Sequence, residues 1–202
     1  MGGKDGLVER LLAGDRRALA RVISKIEREE AETAEIIAEI YKETGDALTI
    51  GFTGPPGVGK SSVIAKLIKL YREEDRRVGV VSVDPSSPFS KGAILGDRIR
   101  LSDHFLDPGV FIRSMGSRGH LGGLAGGSRL AAMAMEACGY DVVIFETVGV
   151  GQGEVEVASA ADTVVLCLQP GAGTTGKSSD AGLLRGDRRR RVLADTPFSF
   201  GK

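Results

Sequence analysis

The chain has 202 residues, and 42% of them are hydrophobic, which is enough for one α/β domain with a core plus a small attachment. Lysine plus arginine and aspartate plus glutamate number 27 each, so the chain lacks the net basic field with which proteins bind nucleic acid. No apolar run is long enough for a signal peptide or a membrane span, and the two cysteines, Cys138 and Cys167, suggest no disulfide framework, so we expect a cytoplasmic protein that binds no membrane.

The first predicted unit, residues 1–46, is helical. Its apolar residues fall at helical spacing in two stripes, and Gly45 and Asp46 end the second one. The stripes consist of Leu19, Val22, Ile23 and Ile26, and of Ile36, Ile37 and Ile40. We interpret the unit as a helical hairpin that docks on the next domain, because amphipathic stripes usually bury against a core.

In the second unit, residues 47–173, short apolar strands alternate with helical stretches. Strands are predicted at 48–53, 78–83, 110–113, 141–146 and 163–168, and helices at 60–74, 93–105, 121–137 and 154–161. This alternation predicts an α/β fold: a mostly parallel sheet of at least five strands with helices on both faces. Ligands of such sheets bind beyond the carboxyl ends of the strands.

A phosphate-binding motif lies between the first predicted strand and the helix after it. Residues 54–61 read GPPGVGKS, the pattern GxxxxGK(S/T) of a P-loop. Glycines allow backbone N–H groups to surround phosphate oxygens, and the helix N-terminus adds partial positive charge. Lys60 is placed to reach the β- and γ-phosphates, and Ser61 to ligate Mg²⁺. The motif predicts binding of a purine nucleoside triphosphate with Mg²⁺, and the flanking strand and helix argue against a mere glycine-rich turn.

Three acidic residues are candidates for the metal site. Asp84 follows the strand VGVVSV and either faces Mg²⁺ or caps a turn in the segment DPSSP. Asp97, in KGAILGDRIR, either belongs to the metal shell or caps a helix that begins near Arg98. Glu146 ends the apolar strand DVVIFE, where a buried carboxylate without a ligand would be costly. We expect Glu146 to act near the metal or the attacking water.

Four segments together resemble one family, the MeaB/ArgK-type GTPases, which are G-protein chaperones of methylmalonyl-CoA mutase. They are GFTGPPGVGKSS, VSVDPSSPFSKGAILGDRIR, FIRSMGSRGHLGG and YDVVIFETVGVGQGEVEVA, and the resemblance covers about residues 5–173. It implies a P-loop NTPase fold of the SIMIBI class, with GTP and Mg²⁺ as cofactors. It also implies a partner, a cobalamin-dependent acyl-CoA mutase of the methylmalonyl-CoA mutase type, whose cofactor the protein helps to load or protect.

The resemblance also assigns site residues by position. Nucleotide contacts fall on Gly54, Pro55, Pro56, Gly57, Val58, Gly59, Lys60, Ser61 and Ser62. The metal site comprises Ser61, Asp84, Asp97 and Glu146. The catalytic roles fall on Lys60, Asp97 and Glu146, around the β,γ bridge and the attacking water.

The third unit, residues 174–202, departs from the family. It holds seven basic and three acidic residues, and the NKxD motif that reads guanine in similar proteins is missing, as is the family's dimerisation arm. Its longest apolar run, Val192–Ala194, follows four arginines and is shorter than a buried strand requires. We therefore predict that the tail does not complete the G domain and leaves the strand at 163–168 as an open edge. A truncated or frameshifted reading frame and a natural basic tail both remain open as its origin.

Three functions remain open on the sequence alone. The first is a slow, partner-stimulated GTPase that acts on a mutase. The second is a kinase or ATPase that transfers phosphate to a small molecule. The third is a non-catalytic fragment that docks on the mutase. Without a guanine-reading motif, we expect GTP and ATP to bind with similar affinity, both weaker than micromolar.

Overall fold

A computed structural model of the chain describes residues 5–84, 101, 104–116, 123–147, 160–168 and 190–195. These residues form one sheet of six parallel strands in the order β3-β2-β4-β1-β5-β6. The strands are β1 (Leu48–Thr53), β2 (Val78–Asp84), β3 (Val110–Gly116), β4 (Val142–Thr147), β5 (Thr163–Leu168) and β6 (Arg190–Asp195). All five predicted strands are present, and β1 pairs directly with β4, so the predicted α/β fold is confirmed.

Helices cover both faces of this sheet. They are α1 (Asp5–Leu12), α2 (Arg16–Glu27), α3 (Thr33–Ile40), α4 (Lys60–Glu73) and α5 (Gly123–Ala137), with a 3₁₀ turn at Tyr41–Glu43. On one face Ile64 and Ile68 of α4 pack with Val80 and Ile144 of the sheet. On the other face α1, α2, α3 and α5 share a single buried cluster with β2, β3 and β4. Most of the predicted helix at 93–105 and most of the one at 154–161 lie outside the described residues.

The N-terminal segment contains three helices rather than the predicted hairpin of two. Gly14 adopts a positive φ of 83° after α1, and the Asp15 carboxylate then caps α2 by accepting the N–H of Arg17 at 2.7 Å. This local turn chemistry divides the segment before its first apolar stripe. The stripe itself behaves as predicted, because Leu19, Val22 and Ile23 are fully buried in the cluster shared with α5.

A partly buried ion pair also connects the N-terminal segment to the sheet. The guanidinium of Arg113 on β3 donates to the Glu27 carboxylate at the end of α2, and to the Ser24 hydroxyl at 3.0 Å. Arg113 thus projects from the same face of β3 as Phe111 and Met115, which belong to the cluster under α2. The helices are therefore attached by charge as well as by apolar packing.

The turn that leads into β1 is held by one carboxylate of α5. Glu136 Oε1 accepts the backbone N–H groups of Gly45, Asp46 and Ala47 at 2.5, 2.6 and 2.7 Å. Three converging donors fix the direction in which the chain enters the central strand. The amino end of β1 is thus anchored to α5.

The prediction that the tail contributes no strand is wrong. β6 pairs in parallel with β5 along its whole length, from Thr163 opposite Arg190 to Leu168 opposite Asp195. Strand pairing uses backbone N–H and C=O groups, and the long apolar run required of a central strand is not required of a strand with a single neighbour. Consequently β5 is not the edge of the sheet, although the origin of residues 174–202 remains a prediction.

None of the helices in the described part of the chain is long and apolar enough to cross a membrane.

Candidate nucleotide-binding site

The loop between β1 and α4 has a backbone that requires its glycines. Gly54, Gly57 and Gly59 adopt φ values of 131°, 78° and 95°, in the region that favours glycine. A Cβ added at Gly54 would lie 2.1 Å from the carbonyl oxygen of Cys167 on the neighbouring β5. The loop can therefore turn closely over the sheet only without a side chain at this position, and it delivers the chain directly into the N-terminus of α4.

Lys60, the first residue of α4, extends back over this loop. Its side chain is 7% exposed, and Nζ donates to the carbonyl oxygens of Gly54 at 2.6 Å and Pro55 at 3.0 Å. The ammonium group is thereby held at the loop with a defined position, where phosphate oxygens bound by the loop amides would come within its reach. In P-loop proteins the lysine at this place in the motif neutralises phosphate charge.

Ser61 and Glu146 meet beside Lys60. The Ser61 hydroxyl donates to Glu146 Oε1 at 2.5 Å, and Glu146 is 3% exposed at the end of β4. Because the hydroxyl donates its proton to the carboxylate, the lone pairs of the Ser61 oxygen remain directed elsewhere. A serine hydroxyl and a carboxylate are hard oxygen ligands of the kind Mg²⁺ prefers, either directly or through water. The residues present fit a magnesium site.

The structure brings together some of the predicted site residues and leaves others undetermined. The loop residues, Lys60, Ser61 and Glu146 lie together at the carboxyl ends of β1 and β4, whereas the Ser62 side chain is exposed on α4. Asp84 is the last residue of β2, the strand beside β4. Its backbone therefore lies at the carboxyl ends of the strands, where the sequence predicted it. Asp97 lies outside the described residues, so its metal and catalytic roles stay predictions.

Sequence reasoning missed Cys167, which forms the floor beneath the loop. Burial raises the pKa of its thiol, an effect that the positive charge of Lys60 opposes and the negative charge of Glu146 reinforces. The side chain is therefore a neutral, fully buried group at neutral pH. The only sequence signal was its place near the end of an apolar strand, which does not distinguish it from an ordinary core cysteine.

Similarity to known proteins agrees with this geometry. A protein of Pyrococcus abyssi with a provisional name as a GTPase is 53% identical over 180 residues, which are 89% of this chain and 56% of that protein. The GTPase ArgK of Escherichia coli is 39% identical over 181 residues, 88% of this chain and 55% of its own length. The mouse protein named methylmalonic aciduria type A homolog, mitochondrial, is 36% identical over 183 residues, which cover 84% of this chain and 44% of that protein.

A solved structure has the same fold. The crystal structure of a LAO/AO transport system kinase superposes with a TM-score of 0.63 at 32% identity, covering 81% of this chain and 49% of that one. This chain spans about half the length of the curated relatives it matches. The family model described as methylmalonyl Co-A mutase-associated GTPase MeaB matches residues 16–186, and thus reaches into the tail beyond the predicted limit of about 173. The chain belongs to the MeaB family of methylmalonyl-CoA mutase-associated GTPases.

Proposed function

We propose that this chain binds GTP with Mg²⁺ at the 54–61 loop and hydrolyses its γ-phosphate bond. The observation that supports this most is the convergence of Lys60, Ser61 and Glu146 where the glycine loop enters α4. A cation, a hydroxyl and a carboxylate at a helix N-terminus match the three needs of a bound triphosphate: charge neutralisation, a metal ligand and an acid near the metal.

The residues divide the reaction among them. Backbone N–H groups of the loop hold the phosphates, and Lys60 stabilises the charge that spreads over the β,γ bridge as water attacks. Glu146 fixes the Ser61 hydroxyl, and with Asp84 and Asp97 it would position the metal and the attacking water. Bound Mg²⁺ would neutralise phosphate charge. The hydrogen bonds of Arg16, Arg72, Arg77 and Arg113 are made to groups outside the loop, so none of these four is placed as an arginine finger. We therefore expect slow intrinsic turnover that a partner can accelerate.

The proposed partner is a cobalamin-dependent acyl-CoA mutase. Support comes from the family description, which names association with methylmalonyl-CoA mutase. In this role, nucleotide binding and hydrolysis would control when the protein helps to load or protect the cofactor of the mutase. They would not serve to produce a metabolite.

The test is a titration of the purified chain with GTP and with ATP, followed by hydrolysis assays. Lys60→Ala should reduce triphosphate binding and turnover by at least about 100-fold, since a buried charge-assisted contact to phosphate is lost. Lys69→Ala is the matched control, because Lys69 lies on the same helix with its side chain 74% exposed. Unchanged hydrolysis in Lys60→Ala would remove the assignment, and mutase binding without any nucleotide effect would favour a non-catalytic docking role.

A second candidate, an ATP-dependent kinase or ATPase, is favoured by one specific observation. One solved protein that shares this fold is named as a transport system kinase. Since the chain contains no NKxD motif, its own residues do not exclude adenine. A preference for ATP above about tenfold, or roughly 1.4 kcal/mol, together with phosphate transfer to a small molecule, would favour this alternative.

A further inference from the structure

The sheet face under α4 changes from apolar to polar at its carboxyl end. On β2 the residues that face α4 are Val78 and Val80, and the next position on that face is Ser82. Ser82 is the register partner of Glu146 on β4 and of Ser114 on β3. The earlier partners on this face, such as Val80 and Ile144, are packed together in the α4 cluster. Hydroxyl, carboxylate and hydroxyl therefore lie in one row across three adjacent strands.

The Ser82 hydroxyl lies in this row without a hydrogen-bond partner. Ser82 is 0% exposed, and among the described residues none hydrogen-bonds its Oγ. A buried hydroxyl without a partner destabilises the fold, whereas an apolar residue of similar size would continue the pattern of Val78 and Val80. Packing alone does not account for a serine at this position.

We infer that Ser82 is a positioning residue of the magnesium site, where its hydroxyl binds a water held against the Glu146 carboxylate. The inference rests on the proposed function. A carboxylate offers about four acceptor positions, so Glu146 can accept from such a water while it accepts from Ser61. Mg²⁺ usually keeps several of its waters in protein sites, and buried waters typically have about three polar partners. Ser82, Glu146 and the half-buried Ser114 are three polar groups in one row.

The role of Ser82 is to hold Glu146 in the orientation that the Ser61 hydroxyl and the metal require. Groups behind the ligands fix ligand geometry, and their loss usually lowers metal affinity by about 10–100-fold. Since Ser82 is fully buried in the sheet, we expect its loss to leave metal-independent binding intact. This separates it from Lys60, whose loss should weaken binding under every condition.

The experiment measures the affinity of a fluorescent GTP analogue for Ser82→Ala at increasing Mg²⁺ and in excess EDTA. We expect the Mg²⁺ concentration for half-maximal tight binding to rise by about tenfold, and the affinity in EDTA to match that of the wild type. The melting temperature of the protein without nucleotide and Mg²⁺ should stay the same or rise, because the hydroxyl removed has no partner in that state. Ser128→Ala is the matched control, since Ser128 on α5 is 2% exposed and also has an unpartnered hydroxyl among the described residues.

Three results would overturn the inference. One is a wild-type Mg²⁺ requirement in Ser82→Ala, and another is an equal loss of affinity in Mg²⁺ and EDTA, which would indicate a structural role. The third is an equal change in Ser128→Ala. If Ser82→Ala does not fold, Ser82→Cys keeps a similar shape with a slightly larger atom that donates only weakly, and it should show the same tenfold rise. Wild-type protein that binds no nucleotide would instead overturn the proposed function itself.

Discussion

Backbone N–H groups serve different purposes at the two ends of β1. At the amino end, Gly45, Asp46 and Ala47 donate to a carboxylate of the protein itself, Glu136. At the carboxyl end, the side chain held against the glycine loop is a lysine, whose Nζ donates to the carbonyl oxygens of Gly54 and Pro55. At the amino end, the protein itself supplies the anion that accepts the N–H groups. At the carboxyl end, the Lys60 ammonium and the N-terminus of α4 are both positive, and together they suit an anion from outside the protein.

The difference shows how a structural amide cluster can be told from a binding site. Where the protein supplies the anion, removal of that anion should cost stability and leave ligand affinity unchanged. Where the protein supplies a cation and a glycine-rich backbone, substitution of the cation should weaken anion binding. Substitution of a glycine should distort the loop and thereby weaken anion binding as well. Each of the following experiments tests one side of this contrast.

The largest effect is expected for Gly54→Ala, which breaks the carboxyl-end arrangement. The new Cβ would meet the Cys167 carbonyl at 2.1 Å, and the φ of 131° strains any L-residue. We expect a loss of about 3–5 kcal/mol in the free energy of unfolding, together with loss of nucleotide binding. Urea denaturation measures the first and a fluorescent GTP analogue the second. Gly6→Ala on α1, where a Cβ meets nothing within 4 Å, should be neutral or slightly stabilising.

A smaller effect is expected for Glu136→Ala, which breaks the amino-end arrangement. Three N–H groups lose their shared acceptor, so the free energy of unfolding should fall by about 1–3 kcal/mol, and thermal unfolding should show it. Glu136→Gln should lose less, because an amide oxygen can still accept. Nucleotide affinity should match that of the wild type in both variants. A selective loss of GTP binding in a stable Glu136→Ala protein would contradict the contrast between the two ends.

The smallest effect concerns a third carboxylate–amide contact, at the amino end of β3. Burial raises the pKa of Asp107, but the Arg72 guanidinium at 3.0 Å and the N–H of Gly109 outweigh it and hold that pKa below its ordinary value. The ionised carboxylate therefore stabilises the fold at neutral pH. This contribution is present above the unfolded pKa of about 4 and is lost as the pH falls through the lower folded pKa.

Asp107→Asn should accordingly lower the free energy of unfolding by less than about 1 kcal/mol at pH 7, because the pair is partly exposed to solvent. Urea denaturation of both proteins at neutral pH and in acid measures the difference, which should shrink as the pH falls below about 4. A difference that grows in acid would show that the carboxylate is not held in its ionised form.

Local signals made much of the fold predictable. The glycines and lysine of the 54–61 loop have a fixed spacing, and apolar runs such as VVIFE mark strands by themselves. The predicted strands at 48–53 and 163–168 agree with β1 and β5 to the residue, and the other three were predicted to within a few residues. The three-helix division of the N-terminus was missed, because the turn at Gly14 and Asp15 lies before the first apolar stripe.

By itself, the sequence determined that a phosphate loop follows a strand and that an acid ends another strand, since both depend on neighbouring residues. Only the tertiary structure decided that β4 lies beside β1, which brings Glu146 to Ser61 across 85 positions of the chain. It also decided that Cys167 lies under Gly54, that Ser82 is in register with Glu146, and that β6 pairs with β5 in spite of its arginines. Strand order and register are set by the packing of the whole sheet, and no local pattern encodes them.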